Sequence, residues 1–385
     1  MRVLFVTDCY PTPAMPQYCV FLQQQAAALQ KAGVDVDVYH FSNNDQLTDA
    51  AYSIDHTQVF FRVAKQKKRN GVLLVGRLSK ADEQELLKIL RRGYDCVSFH
   101  FGNLSFLRSV QAVCKKAGIP LIHHFHGLNI WGDYFDRHPL LTAYRNILKK
   151  RIYAGLSATV NVSEKVKDTF TAEIKNVPSY TVYNGVDPVL FHADAQNKPR
   201  HKEKLEVLCV GNMIPIKGQK YLIEAAAKLK ENGRKISLVF AGSGPDEAGL
   251  KTMCLEKGVD ATFCGYVTYD VISKLMAEKD LFVLPSFYEA LGCVYLEAMS
   301  AGMITVGVHG QGIDEIIEDG VNGFLAEPKS ADSICEIIQK AADMCSEESD
   351  RMTVRAQETA LRFTWENSAA SLQKVYQDVI KKTGK

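Results

Sequence analysis

The chain has 385 residues, 46% of them hydrophobic and 23% charged, which suits two α/β domains and argues against wholesale disorder. Lys plus Arg number 46 and Asp plus Glu 44, a balance that gives no reason to expect nucleic acid as a partner. That total conceals a division, because residues 1–200 hold 25 basic and 17 acidic side chains while residues 201–385 hold 21 and 27. In chain order, the apolar run 3–6 is a predicted strand, cut off by Thr7 and Asp8 and too short for a signal peptide. A helix is predicted over 21–32, closed by Gly33, then a strand over 34–41. Helix 85–92, strand 96–99, helix 105–117 and strand 119–124 follow. Residues 196–204 are polar, contain Pro199 and read as a linker. The alternation then restarts with strand 205–210, helix 219–232, strand 236–241 and helix 271–279, which Thr268 or Asp270 could cap. Strand 281–284, helix 294–301 and strand 304–308 complete it. Two successive series of this kind imply two Rossmann-like domains, with ligands expected in a cleft between them at the strands' carboxyl ends.

No stretch approaches the roughly 20 apolar residues of a membrane helix. The ten cysteines form no CxxC pair, and Cys96, Cys209 and Cys264 lie in apolar runs, so a reducing cytosol with buried thiols is expected.

Five loops carry residues with chemical potential. Gly211-Asn212 through Lys217-Gly218 links a strand to a helix, where free N–H groups and a cation suit a phosphate. A plain turn with a solvated lysine is the competing reading. Gly242, in Ala241-Gly-Ser-Gly-Pro245, belongs to a second such turn, common as a purely structural device. The third loop holds Glu289, Leu291, Gly292 and Cys293, with Glu297 eight positions after Glu289 in the second turn of the following helix. Amides near 291–293 would face an anion. A carboxylate at Glu297 in an apolar helix needs a partner, and a ribose diol is one; an ion-paired helix-end glutamate is the other. His126-Gly127 ends a first-domain strand, beside His123 and His124. Those two would face opposite sides of the strand and no acidic cluster lies near, so no metal is expected. The fifth loop, Gly310-Gln-Gly-Ile, opens a short helix beside the third.

In this order the motifs resemble the GT-B glycosyltransferases of family 4, a large retaining family, over nearly the whole chain. The resemblance rests on Tyr10-Pro11, the Val20–Ala26 helix start, Gly33, His126-Gly127 and Asn184-Gly-Val-Asp187 with Phe191. It continues through Gly211 to Gly218, Ala241 to Pro245, Gly265-Tyr-Val267, Asp280 to Ser286, the Glu289–Glu297 pair, Gly302, Gly312 to Ile317 and Phe363-Thr-Trp365-Glu. Gly292-Cys-Val-Tyr-Leu-Glu and Gly310-Gln-Gly-Ile look like bacterial cell-surface polysaccharide enzymes of the teichuronic-acid type.

The resemblance implies an α/β GT-B fold with an acceptor-side domain over 1–195, a nucleotide-sugar domain over 196–365, and a final helix over 366–385 returning to the first. It implies a hexosyltransferase that moves a hexose-type sugar from a UDP- or GDP-sugar, with retention, to a glycan or lipid-linked acceptor. The donor is a substrate, and no cofactor is expected. Lys217 would neutralise the diphosphate, with Gly211, Asn212, Gly242 and the 291–293 backbone close by. Glu297 would bind the ribose, Glu289 the transferred sugar, and Tyr266 and Val267 the base. His126 would lie beside the anomeric centre and acceptor. Two departures stand out: Asn212 replaces the family's usual Arg, and the loop 11–19 has no Gly, with Cys19 where Gly is usual, so that the first domain either approaches the donor less closely than usual or uses the Thr12 and Gln17 side chains instead. Alternatives are a nucleotide-sugar 2-epimerase or a non-catalytic nucleotide-sugar-binding protein; a dinucleotide dehydrogenase lacks its Gly fingerprint after the first strand. The basic runs Lys65–Arg69 and Arg145 with Lys149–Arg151 are either a solvated face or a dock for the anionic inner face of the cytoplasmic membrane.

Overall fold

The computed structural model describes residues 1–16, 18–42, 50–63, 67–69, 72–74, 78–101, 104–127, 147–192 and 204–384. Two compact units result: Met1–Tyr183 with Trp365–Lys385, and Asn184–Thr364. The first boundary lies ahead of residue 195, and the cause is local. Val186 N–H donates to the Phe363 carbonyl at 2.9 Å, Ser273 Oγ donates to the Leu190 carbonyl at 2.6 Å, and Phe191 meets Tyr269 edge-on, so 184–191 is bound into the second unit. Most of the expected linker, 196–203, lies outside the described residues.

The first unit carries strands β1 (Arg2–Thr7), β2 (Asp35–Ser42), β3 (Ala50–Ile54), β4 (Thr57–Val63), β5 (Lys67–Arg69), β6 (Val72–Leu74), β7 (Cys96–His100), β8 (Leu121–Phe125), β9 (Ala158–Asn161) and β10 (Ser179–Thr181). Eight of them form one sheet in the order 10-9-8-7-1-2-4-3, parallel except where β3 pairs with β4; β5 and β6 pair separately. β1, β7 and β8 are buried almost throughout, which is why they read as continuous apolar runs rather than alternating ones. The helix Trp365–Lys382 lies against the helix Val20–Lys31. Its Trp365, Leu372, Val375, Tyr376 and Val379 join one core with Val3, Phe5, Leu22 and Val36. The last helix is therefore part of the first unit's core.

The second unit holds β11 (Leu205–Val210), β12 (Ile236–Ala241), β13 (Asp260–Phe263), β14 (Leu281–Val283), β15 (Ile304–Val308) and β16 (Phe324–Ala326), all parallel in the order 13-12-11-14-15-16. Strand order reverses between β11 and β14, so the loops leaving those two strands open side by side at the carboxyl edge. In the first unit the reversal falls between β1 and β7, beside β8.

Two of the ten cysteines correct the expectation of free thiols: Cys9 and Cys19 are joined in a disulfide, with Cα atoms 6.0 Å apart. Cys19 precedes the helix Val20–Lys31 with φ 52°, a left-handed backbone that Gly would adopt without strain. Cys96 and Cys209 are buried thiols as expected, and Cys264 is half-buried.

Candidate active site

In the second unit the loops meet backbone to backbone. Gly211 N–H donates to the Ala241 carbonyl and Met213 N–H to the Ser243 carbonyl, both at 2.9 Å, while Gly242 N–H donates to the Gly265 carbonyl at 2.8 Å. A Cβ at Gly242 would overlap the Gly211 carbonyl, so Gly is required there for close approach. Phe287 N–H donates to the Ile216 carbonyl at 3.1 Å, and Ser286 Oγ donates to the same oxygen at 3.2 Å, tying the β14 loop to the β11 loop. Glu289 N–H donates to Gln311 Oε1 at 3.0 Å, and Gly312 N–H to the Glu289 carbonyl at 3.2 Å. The loop after β15 thus lines the same edge.

This arrangement brings Lys217, at the end of the 3₁₀ turn Pro215–Lys217, into an ion pair with Glu289. Both side chains are mostly shielded, at 19% and 13% exposure, so neither charge is fully hydrated. Gly292, with φ 79°, precedes the helix Cys293–Ser300, which puts Glu297 in its second turn. Glu297 is 7% exposed, and burial pushes its carboxyl up to about 8. Tyr269 lies near enough for the Glu297 charge to help burial hold its phenol above the ordinary value. The Cys293 thiol accepts from Asn184 Nδ2 at 3.3 Å, and burial above all pushes it up to about 12, leaving it inert as a nucleophile. Asn212 is exposed, and its carbonyl accepts from Gln219 Nε2 at 3.0 Å. Tyr266, next to Val267, is 64% exposed. Thr268 precedes the helix Tyr269–Glu278 without a side-chain cap bond.

In the first unit His126 follows β8 and stacks on Phe101, ring centroids 4.8 Å apart, with Phe21 5.2 Å away. His124 faces His100 and Tyr376, whereas His123 packs on Phe99, Phe125 and Tyr153, so the two neighbours do take opposite faces. Ring nitrogens of His100, His124 and His126 lie within 4.8 Å of one another, a spacing that a metal ion could use. The shortest of these contacts is a hydrogen bond between His100 Nδ1 and His126 Nε2 at 2.9 Å. Burial pushes His126 and His123 down to about 3, and holds His100 and His124 well below the ordinary imidazole value. These rings are neutral at physiological pH.

The structure therefore gathers the second-unit candidates Gly211, Asn212, Lys217, Gly242, Glu289, Leu291, Gly292, Cys293 and Glu297 at one sheet edge, and places His126 in the first unit. The loop holding Gln311 lies beside the Glu289 loop as its place in the chain suggests, whereas Asn184 as a contact of Cys293, and Ser98, His100 and Tyr376 in series with His126, are not apparent from the sequence. Gln17 and the side chains of Lys65–Arg69 and Arg145 lie outside the described residues. Lys149 is 9% exposed and ion-pairs with Glu173, so it is not presented as a free surface charge.

The chain matches the model described as Glycosyltransferase Family 4 over residues 20–190 and that described as Glycosyl transferases group 1 over 192–359. An uncharacterized glycosyltransferase of Methanocaldococcus jannaschii is 24% identical over 100% of both chains. The α-D-kanosaminyltransferase of Streptomyces kanamyceticus is 31% identical over 59% of this chain and 62% of that protein. Among solved structures, Anabaena HepE in complex with UDP and glucose has a TM-score of 0.75 at 20% identity, covering 98% of this chain and 100% of that one. The loops built on β11, β12, β14 and β15 are thus those of a known fold, and the chain belongs to the GT-B glycosyltransferases of family 4.

Proposed function

We propose that this glycosyltransferase moves a hexose-type sugar, with retention of configuration, from a UDP- or GDP-sugar to a glycan or lipid-linked acceptor in cell-surface polysaccharide synthesis. The observation that carries the donor assignment is the Lys217–Glu289 pair at the β11/β14 edge, with Glu297 buried in the adjoining helix. An incoming diphosphate would compete for Lys217 and release Glu289 to hydroxyls of the transferred sugar. The Lys217 charge would then stabilise the leaving diphosphate as its charge develops. Amides at 291–293 precede the same helix and would add dipolar support. Glu297 would accept from the ribose diol, and Tyr266 with Val267 would receive the base. Asn212 cannot supply the charge that the family's Arg supplies, so Lys217 carries more of the diphosphate.

His126 would serve the reacting centre. A neutral imidazole held near a pKa of 3 is a hydrogen-bond donor or acceptor and a poor store for a proton. The acceptor proton would go to the leaving diphosphate itself, and no protein nucleophile is required. No cofactor enters this scheme. The binding of UDP by Anabaena HepE, and a GDP-mannose-dependent mannosyltransferase of Mycobacterium tuberculosis 26% identical over 52% of this chain and 56% of that protein, support a nucleotide-sugar donor with either base. A teichuronic-acid-type product and a site of action at the inner face of the membrane belong to the same proposal. Donor binding by calorimetry tests the assignment: Lys217→Ala and Glu297→Ala should each weaken it about 10- to 100-fold, as loss of a charged hydrogen bond implies. Wild-type affinity in both would overturn it.

A further inference from the structure

The reading of His126 as a reacting-centre residue leaves open which of its nitrogens carries the proton, and the structure contains a device that decides it. Tyr376 Oη donates to Ser98 Oγ at 3.0 Å. Ser98 Oγ lies 3.0 Å from His100 Nε2, and His100 Nδ1 lies 2.9 Å from His126 Nε2. Tyr376, Ser98 and His100 are each 0% exposed, so water does not substitute for any link. The chain spans three elements: the last helix, β7 and the end of β8.

A chain of hydrogen bonds has a direction, and this one is set at its start. A neutral imidazole has one donor and one acceptor nitrogen, and a hydroxyl has one proton to give. The Tyr376 phenol, kept protonated by burial, gives its proton to Ser98. Ser98 then has its own proton for His100 Nε2, which accepts. His100 must carry its proton on Nδ1 and donate it to His126 Nε2. His126 Nε2 is thereby an acceptor, and its proton lies on Nδ1. The opposite direction would leave the hydroxyl proton of either Tyr376 or Ser98, both fully buried, without an acceptor among the described residues, at a cost of about 1–3 kcal/mol for an unmade buried hydrogen bond. His126 Nδ1 is buried and has no protein partner among the described residues. An N–H there has no acceptor among the described residues and is available to a substrate oxygen.

We propose that Tyr376, Ser98 and His100 are positioning residues that fix His126 in the Nδ1–H tautomer, so that it acts as a hydrogen-bond donor to a substrate oxygen rather than as a base. This gives the returning helix a task beyond packing: it delivers the phenol that orients the whole series. The inference rests on the proposed role of His126 only for its consequence in turnover, not for the tautomer itself.

The test is long-range ¹H–¹⁵N correlation on the full chain labelled with ¹⁵N-histidine, with the His126 resonance identified by its loss in His126→Gln. The wild type should show Nδ1 protonated and Nε2 bare. Tyr376→Phe removes one oxygen and keeps the ring, and Ser98→Ala removes the middle link; each should convert His126 to a mixture of tautomers. Both should lower kcat about tenfold with donor KM unchanged, the scale of one hydrogen bond. Ser98→Thr, which keeps the hydroxyl, should restore both the spectrum and kcat. Melting curves establish that each variant is folded. A wild-type proton on Nε2, or a tautomer that neither variant alters, would overturn the proposal. Wild-type turnover in His126→Ala would instead refute the catalytic reading of His126 and leave the tautomer result standing.

Discussion

At Glu297 a carboxyl group has been taken out of water, and the stability of the fold is thereby linked to pH. Its folded pKa is raised from 4.5 to about 8 by burial, so between those values the native state holds a proton that the unfolded chain has released. With respect to this group, stability is full below about pH 4.5, declines as pH rises to about 8, and is level beyond. Glu297→Gln keeps the shape and abolishes the titration. Urea midpoints of that variant should gain on the wild type steadily from pH 5 to pH 8, by an amount on the order of a few kcal/mol. Parallel profiles would show that Glu297 is not buried as a neutral acid. Lys217 presents the reverse case: its removal leaves Glu289, only 13% exposed in its side chain, without its cation. Lys217→Ala should therefore destabilise the ligand-free protein by about 1–3 kcal/mol, whereas Lys217→Ala with Glu289→Gln should recover part of that loss. Thermal denaturation of the wild type and the two variants would measure it.

At the scale of elements, glycines set how closely the loops approach. Gly312 and Gly310 share one turn but differ in kind. A Cβ at Gly312 would overlap the Ala290 carbonyl, whereas at Gly310 it would meet nothing and only the φ of 69° would resist it. Gly312→Ala should displace the Glu289 loop and weaken donor binding at least tenfold. Gly310→Ala should cost about 1 kcal/mol of stability and leave binding intact. Equal losses in both would contradict this view of the turn. Much of this layer was legible in the sequence. Strands 205–210, 236–241 and 304–308 are legible to the residue, because these largely buried parallel strands are mainly apolar runs that stop at Gly211, Gly242 and His309. The hairpin of β3 and β4 was not, since its turn uses Asp55 and His56 at φ 46° and 67° in place of Gly. The edge that we assign to the donor is legible as a cluster because its residues are local to short loops. The series around His126 was not, because Tyr376 and Ser98 are 278 positions apart and only the folded core joins them.

Across the whole molecule, the structural boundaries sharpen the division of charge. The unit formed by 1–183 with 365–385 has 27 basic and 17 acidic residues, and the unit 184–364 has 19 and 27. The basic excess lies with the unit that we assign to the acceptor. No helix among the described residues is long and apolar enough to cross a membrane. Contact with an anionic bilayer would thus rest on surface charge, at about 1 kcal/mol per basic residue near the headgroups. Flotation with vesicles rich in anionic lipid should show binding at low salt that disappears at high salt; binding indifferent to both would remove the membrane from the account. Lys149 is already engaged by Glu173, so Arg145 and Arg151 are the positions whose neutralisation should reduce flotation.

Retaining transfer from a nucleotide diphosphate sugar can be read by incubating the enzyme with a panel of UDP- and GDP-sugars and a glycan acceptor and determining the anomeric configuration of the product by NMR. A donor from the panel should yield a glycoside with the configuration of the donor. An inverted product, or an isomerised sugar nucleotide formed with no acceptor present, would contradict it.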